Sequence, residues 1–192
     1  MRIDLHDGFH LSAVCDGDQS AYVAHFLDQD LADHLLRIPY PYAPEDAEFW
    51  VRHCTDLESK TGRPNHFAFR RGDGFLIGGI GLQVGSGTRG HRAELGYWLA
   101  KDYRGLGLAT AGTQAIARFG FGDLGLYRIE ATVATHNLRS QQVLEKTGFA
   151  REGFLAGYHQ KNGKLIDVYL FSILASVARL QPRQCDHAEA NR

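Results

Sequence analysis

An α/β fold, one domain around a mixed sheet, is predicted by three features of the chain. The apolar period switches repeatedly between two and 3.6 residues, so strands and helices alternate. At 192 residues and 44% hydrophobic, the chain suits one core and is short for two. No internal repeat, low-complexity linker or composition break divides it. Residues 1–180 therefore read as one domain, and residues 181–192 as a polar, frayed tail.

The elements follow in order. Residues 3–11 (IDLHDGFHL) read as a short edge strand broken by Gly8. Residues 17–36 read as a helix, with Asp16 and Asp18 as cap candidates and Tyr22, Val23, Phe26, Leu27, Leu31, Leu35 and Leu36 at helical spacing. PYPYAP is a rigid connector. Pro44, followed by Glu45 and Asp46, opens a helix that runs to Gly62, because proline tolerates the first turn and acids favour its positive end. HFAFR at 66–70 and FLIGGIGLQV at 75–84 form a hairpin about RGDG. AELGYWLA at 93–100 is a strand in which Leu95, Tyr97 and Leu99 alternate with Glu94, Gly96 and Trp98. A helix over 107–121, a strand over 127–135 and a helix over 138–147 capped by Asn137 follow. The last two strands, 149–159 and 164–174, flank the Asn162-Gly163 turn.

Composition excludes several classes. The 21 basic and 22 acidic residues leave a net charge of −1, which argues against a nucleic-acid binder that works through clustered Lys and Arg. No apolar run reaches the roughly 18 residues a membrane helix needs, and acids interrupt the N-terminal apolar stretch, so no secretory signal is read. Cys15, Cys54 and Cys185 are odd in number and far apart, which fits a reducing cytoplasm. No metal pattern stands out: His6 and His10 are four apart on a strand-like segment, where they would not converge. Charge is uneven, however. Residues 1–60 hold four basic and 12 acidic residues, and residues 61–192 hold 17 and 10. The second half is suited to an anion and the first, around Asp28, Asp30, Asp33, Glu45, Asp46 and Glu48, to a cation.

The sharpest local feature is YRGLGLAT at 103–110, between a strand and a helix. Its glycines let backbone N–H groups converge on an anion, and the helix adds its positive end. A Walker loop is excluded because no GxxxxGK[ST] exists. A dinucleotide fingerprint fails at its third glycine, which is Thr110.

The wider pattern resembles the GNAT N-acetyltransferases, and within them the RimJ/RimL branch. AELGYWLA followed by RGLGLAT is similar to the family's motif A, although Arg104 stands directly before the first glycine. THNLRSQQVLEKTGFAREG is similar to the branch's second motif, Asn-x-x-Ser before a helix ending Gly-Phe. LADHLLRIPYPYAPEDAEFWV and EGFLAGYHQKNGKLIDVYLFSIL resemble its N-terminal helices and closing strands, so the likeness covers residues 5–175.

The resemblance implies a GNAT fold: a mixed, mostly antiparallel sheet of about seven strands flanked by about four helices. It implies acetyl-CoA as co-substrate, no metal, and transfer of an acetyl group to a primary amine. That acceptor would be a protein N-terminal α-amine of ribosomal-protein type, or alternatively a polyamine or antibiotic. A non-catalytic acyl-CoA sensor is the rival outside enzymology, and a homodimer is left open. Arg104, Gly105, Leu106, Gly107, Leu108 and Ala109 would hold the pyrophosphate. Trp98, Leu99 and Ala100 would bond the pantetheine arm as an added strand, and Asn137 and Ser140 would lie near the thioester. Glu94 is the first candidate for general base, with Glu130 and His136 behind it. Many GNAT enzymes carry a tyrosine four residues before the Gly of Gly-Phe as the acid. Here that residue is Leu144, so Ser140 is the substitute and Tyr158 or Tyr169 the reserve. Tyr40 and Tyr42, on the proline connector, would line an acceptor pocket.

Overall fold

The structure is a computed structural model that describes residues 1–35 and 38–178. Eight strands form one sheet in the order β1-β2-β3-β4-β5-β6-β8-β7. They are β1 (Arg2–Asp4), β2 (His10–Ala13), β3 (His66–Arg70), β4 (Leu76–Val84), β5 (Arg92–Leu99), β6 (Arg128–Ala134), β7 (Ala150–Lys161) and β8 (Lys164–Leu174). The helices are α1 (Gln19–Phe26), α2 (Gln29–His34), α3 (Pro44–Thr61), α4 (Leu108–Gly122), α5 (Leu138–Lys146) and the single turn α6 (Ala175–Ala178). All pairings are antiparallel except β5 with β6.

Two expectations change. The first strand is a hairpin: Asp7 (φ 54°) and Gly8 (φ 76°) are both left-handed, which reverses the chain and pairs β1 with β2. The first helix is two. Asp28 leaves helical geometry at ψ 107° and accepts a hydrogen bond from the Asp30 N–H at 3.0 Å, so it ends one helix and caps the next. The proline helix stands as read: Asp46 accepts from the Ala43 N–H at 2.8 Å, and left-handed Gly62 closes the far end. The polar tail lies outside the described residues, as does Cys185.

The sheet is covered on both faces in its first half. Leu11, Phe67, Phe69, Ile80, Leu82, Leu95 and Ile129 meet α4 and α5 on one face. Ala68, Leu76 and Trp98 meet Tyr22, Phe26, Tyr42, Val51 and Cys54 of the α1–α3 layer on the other. The Trp98 indole packs on Gly79 of β4, where a Cβ would stand 2.6 Å from its Nε1, so only glycine admits the ring there. Tyr42 is therefore core, edge-on to Phe26 at 4.7 Å, and lines no acceptor pocket, whereas Tyr40 is exposed. A buried ion pair fastens the start of α1 to the sheet. Arg70 meets both carboxylate oxygens of Asp18 at 2.8 Å and also bonds Ser12 Oγ and the Ala13 carbonyl.

Candidate active site

The site begins where two parallel strands part. β5 and β6 pair only at Arg92–Arg128, Ala93–Ile129 and Glu94–Glu130. Beyond Glu94, β5 continues to Leu99 bonded to β4 alone, and β6 continues to Ala134 bonded to β8 alone. The result is a V-shaped gap with an unpaired strand edge on each arm.

Strand alternation decides which β5 groups face that gap. The Ala100 N–H donates to the Ile77 carbonyl at 2.9 Å, so the backbone of Ala100, and of Trp98 two residues earlier, is turned to β4. The Trp98 carbonyl oxygen indeed crowds Gly78, 2.5 Å from where a Cβ would stand. The polar groups of Leu95, Tyr97 and Leu99 face the gap instead. Of the three residues named for the pantetheine arm, Leu99 therefore offers its backbone, and Tyr97 is the neighbour that the sequence reading passed over. The Leu99 carbonyl is already occupied by Arg104 Nε at 3.0 Å.

The glycine loop sits at the mouth of the V. Gly105 (φ 81°) and Gly107 (φ 79°) both require left-handed backbone, and Gly107 is the N-cap of α4. The first N–H groups of that helix, from Leu108 onward, have no intrahelical partner and point to the loop. No atom lies within 4 Å of the Cβ position at Gly105, so the loop surface is open there. Leu106 is half-exposed beside it. Arg104 does not reach into the loop: its guanidinium bonds Asp30 of α2 at 2.8 Å. His6, on the β1–β2 turn, comes within 3.6 Å of the Gly107 Cβ position and is a second residue the sequence reading missed.

The two faces of β5 carry different chemistry. On the α5 side, Tyr97 is half-buried and its hydroxyl lies 2.8 Å from Ser140 Oγ. Burial pushes the phenol up to about 12. Asn137 caps α5, accepting the Ser140 N–H at 3.1 Å, and so fixes the turn that presents Ser140. Leu144 is wholly buried in the core.

On the opposite side, Glu94 accepts a hydrogen bond from Thr132 Oγ1 of β6 at 3.1 Å, and Thr132 lies 3.4 Å from His159 Nε2 of β7. Glu94 borders an open polar cleft of about 510 Å³ with Gln83, Ser86, Arg89, Arg92 and Glu130. Glu130 is held by Arg92 at 2.9 Å and Arg128 at 3.0 Å, so two guanidiniums occupy that base candidate. His136 is exposed, with its ring 6.3 Å from that of His34. Tyr158 is exposed, and Tyr169 packs under Arg151 at 4.6 Å.

Among the described residues no group of His, Cys, Asp or Glu is placed to hold a metal ion, and no helix is long and apolar enough to cross a membrane.

Comparison with known proteins agrees with this geometry. Residues 9–150 match the family described as the acetyltransferase (GNAT) domain. An uncharacterized N-acetyltransferase, p20, of Bacillus licheniformis is 32% identical over 158 residues, covering 82% of this chain and 87% of its own. The structure of Mycobacterium smegmatis RimJ in complex with CoA-disulfide superimposes with a TM-score of 0.77 at 27% identity, over 91% of this chain and 84% of that one. Spermidine N-acetyltransferase from Vibrio cholerae, in complex with CoA and spermine, shares the fold with a TM-score of 0.74 at 23% identity, over 91% and 99%. A splayed parallel pair with a glycine loop at its mouth, in a chain with these relatives, belongs to the GNAT family, and the protein is an acetyl-CoA-dependent N-acetyltransferase.

Proposed function

We propose that the acceptor is the N-terminal α-amine of a protein, acetylated across the β5–β6 gap. The observation that carries the reading is the division of β5 into two faces. Tyr97 and Ser140 stand on one side of the gap, and Glu94 faces an open polar cleft on the other. An amine entering from the cleft would lose its proton toward Glu94, while the sulfur leaves toward Ser140. An open cleft with charged walls accommodates a chain end, and the likeness to RimJ extends over most of the chain.

In this reading the backbone of Gly105, Leu106, Gly107, Leu108 and Ala109 holds the pyrophosphate, and the gap-facing edge of β5 holds the pantetheine arm. Asn137 fixes the first turn of α5, and Ser140 donates a hydrogen bond to the leaving sulfur. Transfer then rests mainly on positioning, worth up to about 7–11 kcal/mol, with general base catalysis adding about 10²–10⁴-fold. An acceptor panel of short peptides with free N-termini, polyamines and aminoglycosides, read by thiol release from acetyl-CoA, tests it. Peptides are expected to turn over fastest, and a polyamine or aminoglycoside preference would replace the reading. Absence of turnover with every class, despite acetyl-CoA binding, would point to a sensor.

A further inference from the structure

The helix that carries Ser140 offers no phenol to the gap, because Leu144, one turn on, is sealed in the core. A phenol arrives from the other arm. Tyr97 Oη lies 2.8 Å from Ser140 Oγ and 3.3 Å from the Ser140 carbonyl oxygen. At this level β5 and β6 have already parted, so the contact ties β5 to α5, the helix that follows β6, where the two strands share no backbone hydrogen bond. Two arrangements satisfy it. Tyr97 can donate to the carbonyl and accept from the serine, which turns the serine proton away from the gap. Alternatively it donates to Oγ, which leaves the serine proton free to point into the gap. The 2.8 Å contact serves either arrangement, but 3.3 Å is long for an O–H···O bond to the carbonyl, and that carbonyl, in the first turn of α5, has a donor within its own helix, which favours the second.

We propose that Tyr97 is a positioning residue, whose phenol donates to Ser140 Oγ and so aims the serine hydroxyl at the sulfur of the departing coenzyme. The proposal rests on the reading of Ser140 given above. During transfer the acceptor nitrogen bonds the acetyl carbon, the carbon–sulfur bond breaks, and its electron pair stays on sulfur. The amine proton leaves toward Glu94 and water, and the sulfur gains its proton from water.

Tyr97 is not itself the proton source. A thiol's ordinary pKa is about 8.5, and loss of solvent around the Tyr97 phenol pushes it up to about 12. Transfer from phenol to thiolate is therefore uphill by roughly three orders of magnitude. Tyr97 keeps its proton throughout and spends it on orientation. A phenol that stays neutral at every working pH holds Ser140 in one rotamer regardless of pH, which a histidine or carboxylate in its place would not.

Steady-state kinetics on Tyr97→Phe, Ser140→Ala and the double variant test this, with calorimetric acetyl-CoA binding and thermal unfolding measured on each. Phenylalanine keeps the ring and its packing. Tyr97→Phe is expected to lower kcat by about 5- to 50-fold, because the serine's hydrogen bond to the developing charge is no longer aimed. The KM and Kd of acetyl-CoA should move less than about twofold, and the shape of the kcat–pH profile should stay as in the parent. The double variant should be no slower than Ser140→Ala, because the tyrosine acts through the serine. Wild-type kcat in Tyr97→Phe beside a slow Ser140→Ala overturns the proposal alone. Wild-type turnover in Ser140→Ala overturns the serine reading itself. Multiplying losses in the double variant, or a kcat loss matched by weaker acetyl-CoA binding, would make Tyr97 an independent or merely structural bridge. Should Tyr97→Phe fail to fold, fluorotyrosine at 97 keeps the shape and strengthens the donor. Its kcat is expected to hold or rise, and a fall overturns the proposal.

Discussion

Ser140 is fixed by two residues of different origin: Asn137 caps its helix turn, and Tyr97 reaches it from β5. If its hydroxyl stabilises the leaving thiolate, Ser140→Ala should lower kcat by about 10- to 1,000-fold and leave acetyl-CoA affinity nearly unchanged, as steady-state kinetics with direct binding would show. The factor is bounded because a thiolate with a conjugate pKa near 8.5 leaves without heroic help.

A second residue-scale effect is unrelated to catalysis. His66 is wedged beside Trp50 at 4.9 Å between ring centroids, and its Nδ1 is sealed without a hydrogen-bond partner. Burial, with a smaller push from His53, lowers its pKa from 6.5 to about 4. The unfolded chain therefore takes up that proton first. Stability is whole above about pH 6.5 and is lost as pH falls toward 4, by up to roughly 3 kcal/mol. His66→Gln should lose less stability than the parent between about pH 7 and pH 5, measured by denaturant unfolding. An identical pH slope would remove His66 from the acid response.

At the scale of elements, β3 is tied to the layer above and the helix below by different means. Above, the Arg70–Asp18 pair is buried and bidentate. Asp18→Ala leaves the guanidinium buried and uncompensated, and should cost about 3–5 kcal/mol in unfolding free energy. A loss under 1 kcal/mol would mean that water reaches the pair. Below, α4 approaches so closely that a Cβ on Gly112 would meet Phe69 at 2.4 Å. Gly112 is the reason α4 can lie on the sheet and hold its N-terminus at the V.

The glycine loop is strained in the same sense. At φ 79°, any side chain on Gly107 costs about 1–2 kcal/mol of backbone energy before it meets a ligand. Gly107→Val should therefore lower Tm by a few degrees and weaken acetyl-CoA binding by at least about tenfold. A folded variant with parental affinity would remove the loop from the site.

For the whole molecule, the acid-rich first half does more structural work than its charge suggested. Asp28 caps α2, Asp46 in the first turn of α3 bonds back to the Ala43 N–H, and Asp30 pairs with Arg104. The hydrogen bond from Arg104, with its charge, holds the Asp30 carboxyl below its usual range. The pair links α2 to the glycine loop, so the layer of the first half and the loop of the second are in contact at the surface. Because Asp30 is exposed, Asp30→Ala should change the acetyl-CoA KM by less than about fivefold, and salt should shrink the difference. A larger, salt-insensitive change would make α2 part of the co-substrate site. On the other side of the gap, an ion-pair ladder of Arg92, Glu130, Arg128 and Glu152 crosses β5, β6 and β7. It explains why Glu130, attractive in the sequence, is engaged while Glu94 borders the cleft.

The order of elements and the glycine loop were readable in the sequence because their causes are local. Period-two apolar residues made β5, a left-handed glycine started α4, and Asn137 capped α5, each within a few residues of its effect. The break at Asp28 was equally local but was hidden under a continuous apolar stripe, and the Asp7-Gly8 reversal under a short strand-like run. What periodicity could not show was which side chains meet across the gap. Tyr97 and Ser140 are 43 residues apart, Glu94 and Thr132 are 38, and Asp30 and Arg104 are 74. The sequence by itself determined the strands, the loop and the caps. Only the tertiary structure decided the partners, because each pair joins elements far apart in the chain: β5 parts from β6 after Glu94, and α5 packs where the Tyr97 phenol meets the serine.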